Sequence, residues 1–182
     1  MTILTTARLR FEPFDDSHFD GLQAMNRDPA VQRYLLGRPE TPQETLAAIA
    51  RVQARWAAWG YGWWAFIESG SGELVGAGCV QHLGHERANP HEIGWRLRRD
   101  RWGMGLASEA ARTLARHAFE ALDAPLVCAL RHPDNLASQK VMERLGMRHV
   151  GLQHWHGEQV ALHELTRADW QWHAAPGRPS TP

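Results

Sequence analysis

The sequence predicts a mixed α/β (α+β) fold, a mostly antiparallel central sheet of about seven strands flanked by about four helices. Three observations predict it. Short runs alternate apolar and polar residues with period two, as in Leu9-Arg10-Phe11-Glu12-Pro13-Phe14. Longer helical patterns carry their own start and stop signals. In the second half, strands and helices alternate, and a helix between two strands implies a parallel pair. The predicted order is βααβββαβαββ, in one domain over 1–173 followed by a Pro/Gly/Ser-rich tail over 174–182.

The elements follow in order. After the first strand, Ser17 can cap a helix with Phe19, Leu22 and Met25 on one face. Thr41, Pro42 and Glu44 spell an N-cap, a first-turn proline and a capping box. The apolar stripe of that helix is Leu46, Ile49, Val52 and Trp56, and Gly60 stops it. Strands over about 62–68 and 73–81 are joined by Ser69-Gly70-Ser71-Gly72, a hairpin composition. A strand over about 91–98 leads through a glycine turn into a helix over about 105–121. Leu126-Val127-Cys128-Ala129-Leu130 is apolar throughout, as in a strand buried on both faces. A helix over about 135–145 ends at Gly146, strands follow near 148–153 and 160–165, and Thr166-Arg167-Ala168-Asp169 caps a last short helix carrying Trp170.

Composition narrows the function. Lys+Arg and Asp+Glu are 20 each, so the basic excess expected of a nucleic-acid binder is missing. No apolar run approaches the roughly 20 residues of a membrane span. The opening residues Met1 to Arg8 lack a leader's apolar stretch, so a cytoplasmic protein is expected. The two cysteines, Cys79 and Cys128, form no Cys-x-x-Cys pair and read as buried thiols. His154-Trp155-His156 puts two histidines on one strand face, too few for a metal site. No metal is expected.

The central signal is Trp102-Gly103-Met104-Gly105-Leu106-Ala107-Ser108-Glu109-Ala110, between a strand and a helix. Two glycines let successive N–H groups converge, and the helix start adds its own unpaired N–H groups and positive dipole end. That is an anion site, suited to a diphosphate. It is not a P-loop, because Gly-x-x-x-x-Gly-Lys is missing. It is not a dinucleotide fingerprint, because Ser108 stands where the third glycine or alanine would be.

Three segments then resemble the Gcn5-related N-acetyltransferase (GNAT) superfamily, and within it the branch of ribosomal-protein N-terminal acetyltransferases. They are Glu92-Ile93-Gly94-Trp95-Arg96-Leu97-Arg98 with the glycine turn; Pro133-Asp134-Asn135-Leu136-Ala137-Ser138 running to Leu145-Gly146-Met147; and Leu165-Thr166-Arg167-Ala168-Asp169-Trp170. The opening, from Ala7-Arg8-Leu9 through Asp28-Pro29-Ala30-Val31, resembles the branch too, so the likeness covers about residues 7–172.

The resemblance implies a sheet splayed in the middle, with acetyl-CoA as cosubstrate lying in the gap. It implies that the backbone of Leu97, Arg98 and Arg99 pairs with the pantetheine arm, one N–H, at Leu97, holding the thioester oxygen. Gly103, Met104, Gly105, Leu106, Ala107 and Ser108 would hold the diphosphate. Asn135 would reach the pantetheine amide and Ser138 the departing sulfur, although helix capping explains both residues as well. Glu92 would take the proton from the amine, through water. Its plain alternative is a half-exposed strand carboxylate. His163 stands where the branch often has tyrosine; it is a second base or a structural histidine. Asn26, Tyr34, Trp63 and Trp64 are the candidate acceptor wall, with packing as the alternative for each.

The expected reaction is direct transfer of acetyl to a primary amine in a ternary complex. A protein N-terminal α-amine is favoured, and a small-molecule amine stays open. So do the same fold with a different acyl-CoA or an oxygen acceptor, a non-catalytic acyl-CoA sensor, and a homodimer.

Overall fold

The computed structural model describes residues 2–155 and 157–174, so most of the expected tail lies outside the described residues. The architecture is one eight-stranded, mostly antiparallel sheet with six α-helices. In chain order these are β1 (Leu4–Thr5), β2 (Leu9–Pro13), α1 (Phe19–Asn26), α2 (Pro29–Gln32), α3 (Pro42–Trp59), β3 (Trp63–Glu68), β4 (Leu74–His82), β5 (His91–Leu97), α4 (Leu106–Glu120), β6 (Leu126–Arg131), α5 (Leu136–Leu145), β7 (Arg148–Trp155), β8 (Glu158–Thr166) and α6 (Arg167–Ala174). The sheet order is β1-β2-β3-β4-β5-β6-β8-β7. The eighth strand is β1, two residues pairing antiparallel with β2; it is too short to show a period.

The β5–α4–β6 crossover produces the one parallel pair among the described residues, as the alternation of strands and helices predicts. That pair is short. Only His91↔Val127 and Glu92↔Cys128 are in register, although β5 runs on to Leu97 and β6 to Arg131. Beyond Glu92 the two strands separate, so the sheet is splayed at its centre.

Local chemistry explains most boundaries. Thr41 accepts the Glu44 N–H, and the Glu44 carboxylate accepts the Thr41 N–H at 2.8 Å, closing the capping box of α3. Gly60 and Gly146 end α3 and α5 in left-handed conformation, which costs glycine little. Two expectations need correction. Asp15, rather than Ser17, is the cap: its carboxylate accepts the Ser17 N–H at 2.9 Å and starts a short 3-10 turn ahead of α1. On α3 Leu46 is 53% exposed, and Thr45 faces inward to bond Gln23 at 2.7 Å.

The core lies on both faces of the sheet. On one, Phe66, Leu97 and Leu114 of α4 close over Gly76 and Gly78; a Cβ at Gly78 would lie 2.4 Å from Phe66 and 2.7 Å from the Gly94 carbonyl. Trp170 of α6 stacks on Phe119 at 5.6 Å.

Candidate active site

Both helices that follow the splayed strands begin at the same end of the sheet, because β5 and β6 are parallel. The N-termini of α4 and α5 therefore flank the mouth of the gap, where open α/β sheets place their ligands.

The turn before α4 has the geometry its glycines predict. Gly103 and Gly105 adopt φ of 75° and 78°, and Gly105 is an N-cap without a side-chain cap bond. The first N–H of α4 to bond within the helix is that of Glu109, to the Gly105 carbonyl at 3.1 Å. The N–H groups of Leu106, Ala107 and Ser108 thus remain for a ligand. Leu106 anchors the turn by burying its side chain, while Met104 points outward.

The arginines before the turn divide by role. Arg98 bonds Asp100 at 2.8 Å and Glu73 at 3.0 Å, and Arg101 bonds Glu68 at 3.1 Å and Asp100 at 2.6 Å. Their charge is already matched. The Arg99 side chain is exposed and has no such partner among the described residues.

At the start of α5 the Asn135 side-chain Oδ1 accepts the Ser138 N–H at 3.1 Å. The cap role of Asn135 is real, and its amide nitrogen is left over. The half-buried Ser138 hydroxyl makes no hydrogen bond among the described residues.

Glu92 sits at the last rung before the strands part. Its Oε2 accepts from Gln81 Nε2 at 3.1 Å, and the Gln81 oxygen accepts from Trp63 Nε1 at 3.2 Å and Arg55 at 3.3 Å. The Arg96 guanidinium lies over the Trp63 ring at 4.7 Å. Strand alternation puts Glu92, Gly94 and Arg96 on one face of β5, and between the two charges the cross-strand Cys79 sulfur would lie 3.3 Å from a Cβ at Gly94. Arg55, Gln81 and Arg96 were not singled out from the sequence. Gln81 was open to discovery, as the first polar residue after the apolar and glycine run Leu74 to Val80 of β4.

Other candidates fall elsewhere. Trp64 is wholly buried, wedged edge-on between Trp56 and His117, so it packs the core and lines no acceptor wall. Asn26 is 1% exposed, with its Oδ1 unpartnered. Tyr34 stacks on His132 at 5.2 Å, in a cleft of about 530 Å³ between residues 33–37, the β6–α5 loop and the start of β8. His163 is 2% exposed. It is one residue along β8 from Leu162, which packs with Cys128, the residue paired with Glu92. Alternation therefore turns His163 to the opposite face from Glu92. Burial, then Arg131 and His149, lowers its pKa and keeps it neutral.

Cys79 and Cys128 are both buried, and burial followed by the Glu92 charge pushes both thiols up. Neither is poised as a nucleophile. Among the described residues no group of three or more His, Cys, Asp or Glu could hold a metal, and no helix is long and apolar enough to cross a membrane.

Comparison with known proteins agrees with this geometry. The acetyltransferase (GNAT) domain model matches residues 8–148. An Aspergillus fumigatus protein named FsC-acetyl coenzyme A-N(2)-transacetylase is 30% identical over 155 residues, 81% of this chain and 65% of that one, so the chain spans under two thirds of that relative. The acetyltransferase from Agrobacterium tumefaciens superposes with a TM-score of 0.79 at 25% identity, over 92% of this chain and 95% of that one. A Bordetella pertussis structure described as of the GnaT family gives 0.77 at 28% identity, over 90% and 99%. A family that uses acetyl-CoA as cosubstrate fits a gap whose mouth carries free N–H groups. The chain belongs to the GNAT acetyltransferases and is an acyltransferase.

Proposed function

We propose that this chain transfers acetyl from acetyl-CoA to a primary amine by direct attack in a ternary complex, with a protein N-terminal α-amine as the favoured acceptor. One observation carries the reading: β5 and β6 share two rungs and then part, and the free N–H groups of α4 stand at the mouth of that gap. An extended amide arm can bond the freed strand edges while its diphosphate meets the helix end.

Acetyl-CoA would supply an activated thioester. The backbone of Leu97 to Arg99 would align its arm, and the Leu97 N–H would hold the carbonyl oxygen as negative charge develops there. Glu92, at the apex of the gap, would accept the amine proton through water as the C–N bond forms. The unengaged Ser138 hydroxyl would donate to the sulfur as the C–S bond breaks. Burial and the Glu92 charge hold the thiol protons of Cys79 and Cys128 in place, so the reading routes no step through an acyl-cysteine.

The α-amine is favoured because its pKa of about 7.7–8.0, against about 10.4 for lysine, leaves much of it neutral near pH 7. The ribosomal-protein N-terminal acetyltransferase branch fits this reading, on the motifs of the sequence. A small-molecule amine is the second reading, favoured by the fungal relative named for transfer to an N(2) position. The Tyr34 cleft and the Trp63–Gln81–Glu92 wall would receive either acceptor.

The test is a calorimetric titration with acetyl-CoA beside a thiol-release assay over small amines and N-terminal peptides. Binding with peptide-dependent release is expected. Release only with small amines would move the acceptor to the second reading, and absence of binding would overturn the donor assignment.

A further inference from the structure

The turn assigned to the diphosphate is held from the other end of the chain. Two left-handed glycines make it permissive, and no side chain caps α4. Arg8, just ahead of β2, supplies the missing restraint. Its Nη1 donates to the Met104 carbonyl at 2.8 Å. Its Nε and Nη2 reach Glu109 Oε2 at 2.6 and 2.5 Å, and its backbone N–H donates to Glu109 Oε1 at 3.2 Å. The same guanidinium borders Gly105: a Cβ there would lie 3.5 Å from Nη2.

Two physical consequences follow from these contacts. The Met104–Gly105 peptide is trans, and in a trans peptide the carbonyl and the N–H point opposite ways. Holding the Met104 carbonyl against Arg8 therefore turns the Gly105 N–H away from Arg8. The second consequence concerns charge. Glu109 lies in the first turn of α4, where a carboxylate suits the helix dipole but repels a second anion at the same end. Burial works against its ionisation, yet hydrogen bonds from Thr6 and Arg8 outweigh burial and hold its pKa below the usual carboxylate range. The carboxylate is charged near neutral pH, and Arg8 is the cation paired with it.

We infer that Arg8 is a positioning residue for the phosphate-binding turn: it fixes the Met104–Gly105 peptide so that the Gly105 N–H joins those of α4, and it cancels the Glu109 charge that a diphosphate would otherwise meet. The inference rests on the reading of this turn as the coenzyme A diphosphate site. Arg8 acts through the turn and touches neither the thioester nor the amine.

The test compares wild type, Arg8→Ala and Arg8→Lys by titration with two donors, acetyl-CoA and acetyl-pantetheine, the latter carrying the thioester arm without a diphosphate. Arg8→Ala is expected to weaken acetyl-CoA binding about tenfold or more, the range of a charge-assisted hydrogen-bond network. Its affinity for acetyl-pantetheine should stay within about twofold on the same scale. Arg8→Lys keeps the charge without the fork and should recover only part of the loss. An unchanged acetyl-CoA affinity, or an equal loss on both donors, overturns the inference. A second measurement needs no donor. Nitrogen-15 relaxation in the ligand-free protein should show the Gly105 amide more mobile in Arg8→Ala, with Gly72 of the β3–β4 hairpin unchanged; an equally rigid Gly105 overturns the inference by itself. Wild-type protein that binds no acetyl-CoA at all would instead overturn the reading of the turn.

Discussion

At the scale of single residues, Glu92 carries the most weight. It stands on the last shared rung of β5 and β6 and is oriented by Gln81, which Trp63 and Arg55 hold in turn. Glu92→Gln keeps the shape and removes the proposed base. It is expected to lower kcat/KM about a hundredfold or more, with the loss shrinking as pH rises and the amine loses its own proton. Steady-state rates over a pH series check this; an unchanged rate at neutral pH would leave Glu92 a structural carboxylate. Ser138→Ala should lower kcat and leave the acetyl-CoA dissociation constant in place. Glu92 and Ser138 were singled out because a resemblance in motif fixes positions along the chain, and their roles are part of the proposal. Gln81 and Arg55 were not singled out, because Gln81 meets Glu92 through cross-strand register and Arg55 reaches Gln81 from helix α3. The same limit explains Trp64 and His163: sequence gives the strand, while burial and facing depend on what packs above it.

At the scale of elements, the glycine turn was readable because only glycine takes φ near +75° at low cost, so two glycines before a helix report their own geometry. Gly105→Glu should abolish acetyl-CoA binding by adding both a strained backbone and an anion, and calorimetry at unchanged circular dichroism checks it. Gly78 is a different case. Its φ is ordinary, but Phe66 and the Gly94 carbonyl occupy the place of a Cβ. Gly78→Ala should cost about 1–3 kcal/mol of stability through overpacking, read from a denaturant midpoint. Boundaries with strong chemistry, such as the Thr41–Glu44 box and Gly146, were placed from sequence. The missed α2 also had its signal, since Asp28 accepts the Ala30 N–H at 2.8 Å and Pro29 takes the first helical position. Four residues are too few to show a helical period, so only the cap could have marked it.

At the scale of the whole molecule, histidines that are half-buried (His91, His117) or buried (His163) link stability to pH. Burial, then His82 and His117, lowers His91 to about 4 from an ordinary value of 6.5. Burial lowers His117 and His163 as well. The unfolded chain takes up protons below about pH 6.5 that the native state refuses, so stability is full above that value and falls as pH drops toward 4. The melting temperature should fall steadily between pH 6.5 and 4.5, and less steeply in His91→Gln; equal slopes would remove His91 from the explanation. The mixed sheet itself was legible because strand and helix periods differ along the chain. Its central opening came only from family likeness, since nothing in Glu92 to Leu97 says that a β-strand stops pairing on one side. That opening also has a mechanical side. β5 shares seven rungs with β4, and β6 shares six with β8, but the two halves meet along two. The sheet is thus two stiff plates joined at a short weld, and in the proposed binding mode the donor's amide arm would bridge the seam as a strand would. Loading with donor should therefore raise heat tolerance in step with donor concentration, so that the resting and working enzyme differ in stiffness before any chemistry begins.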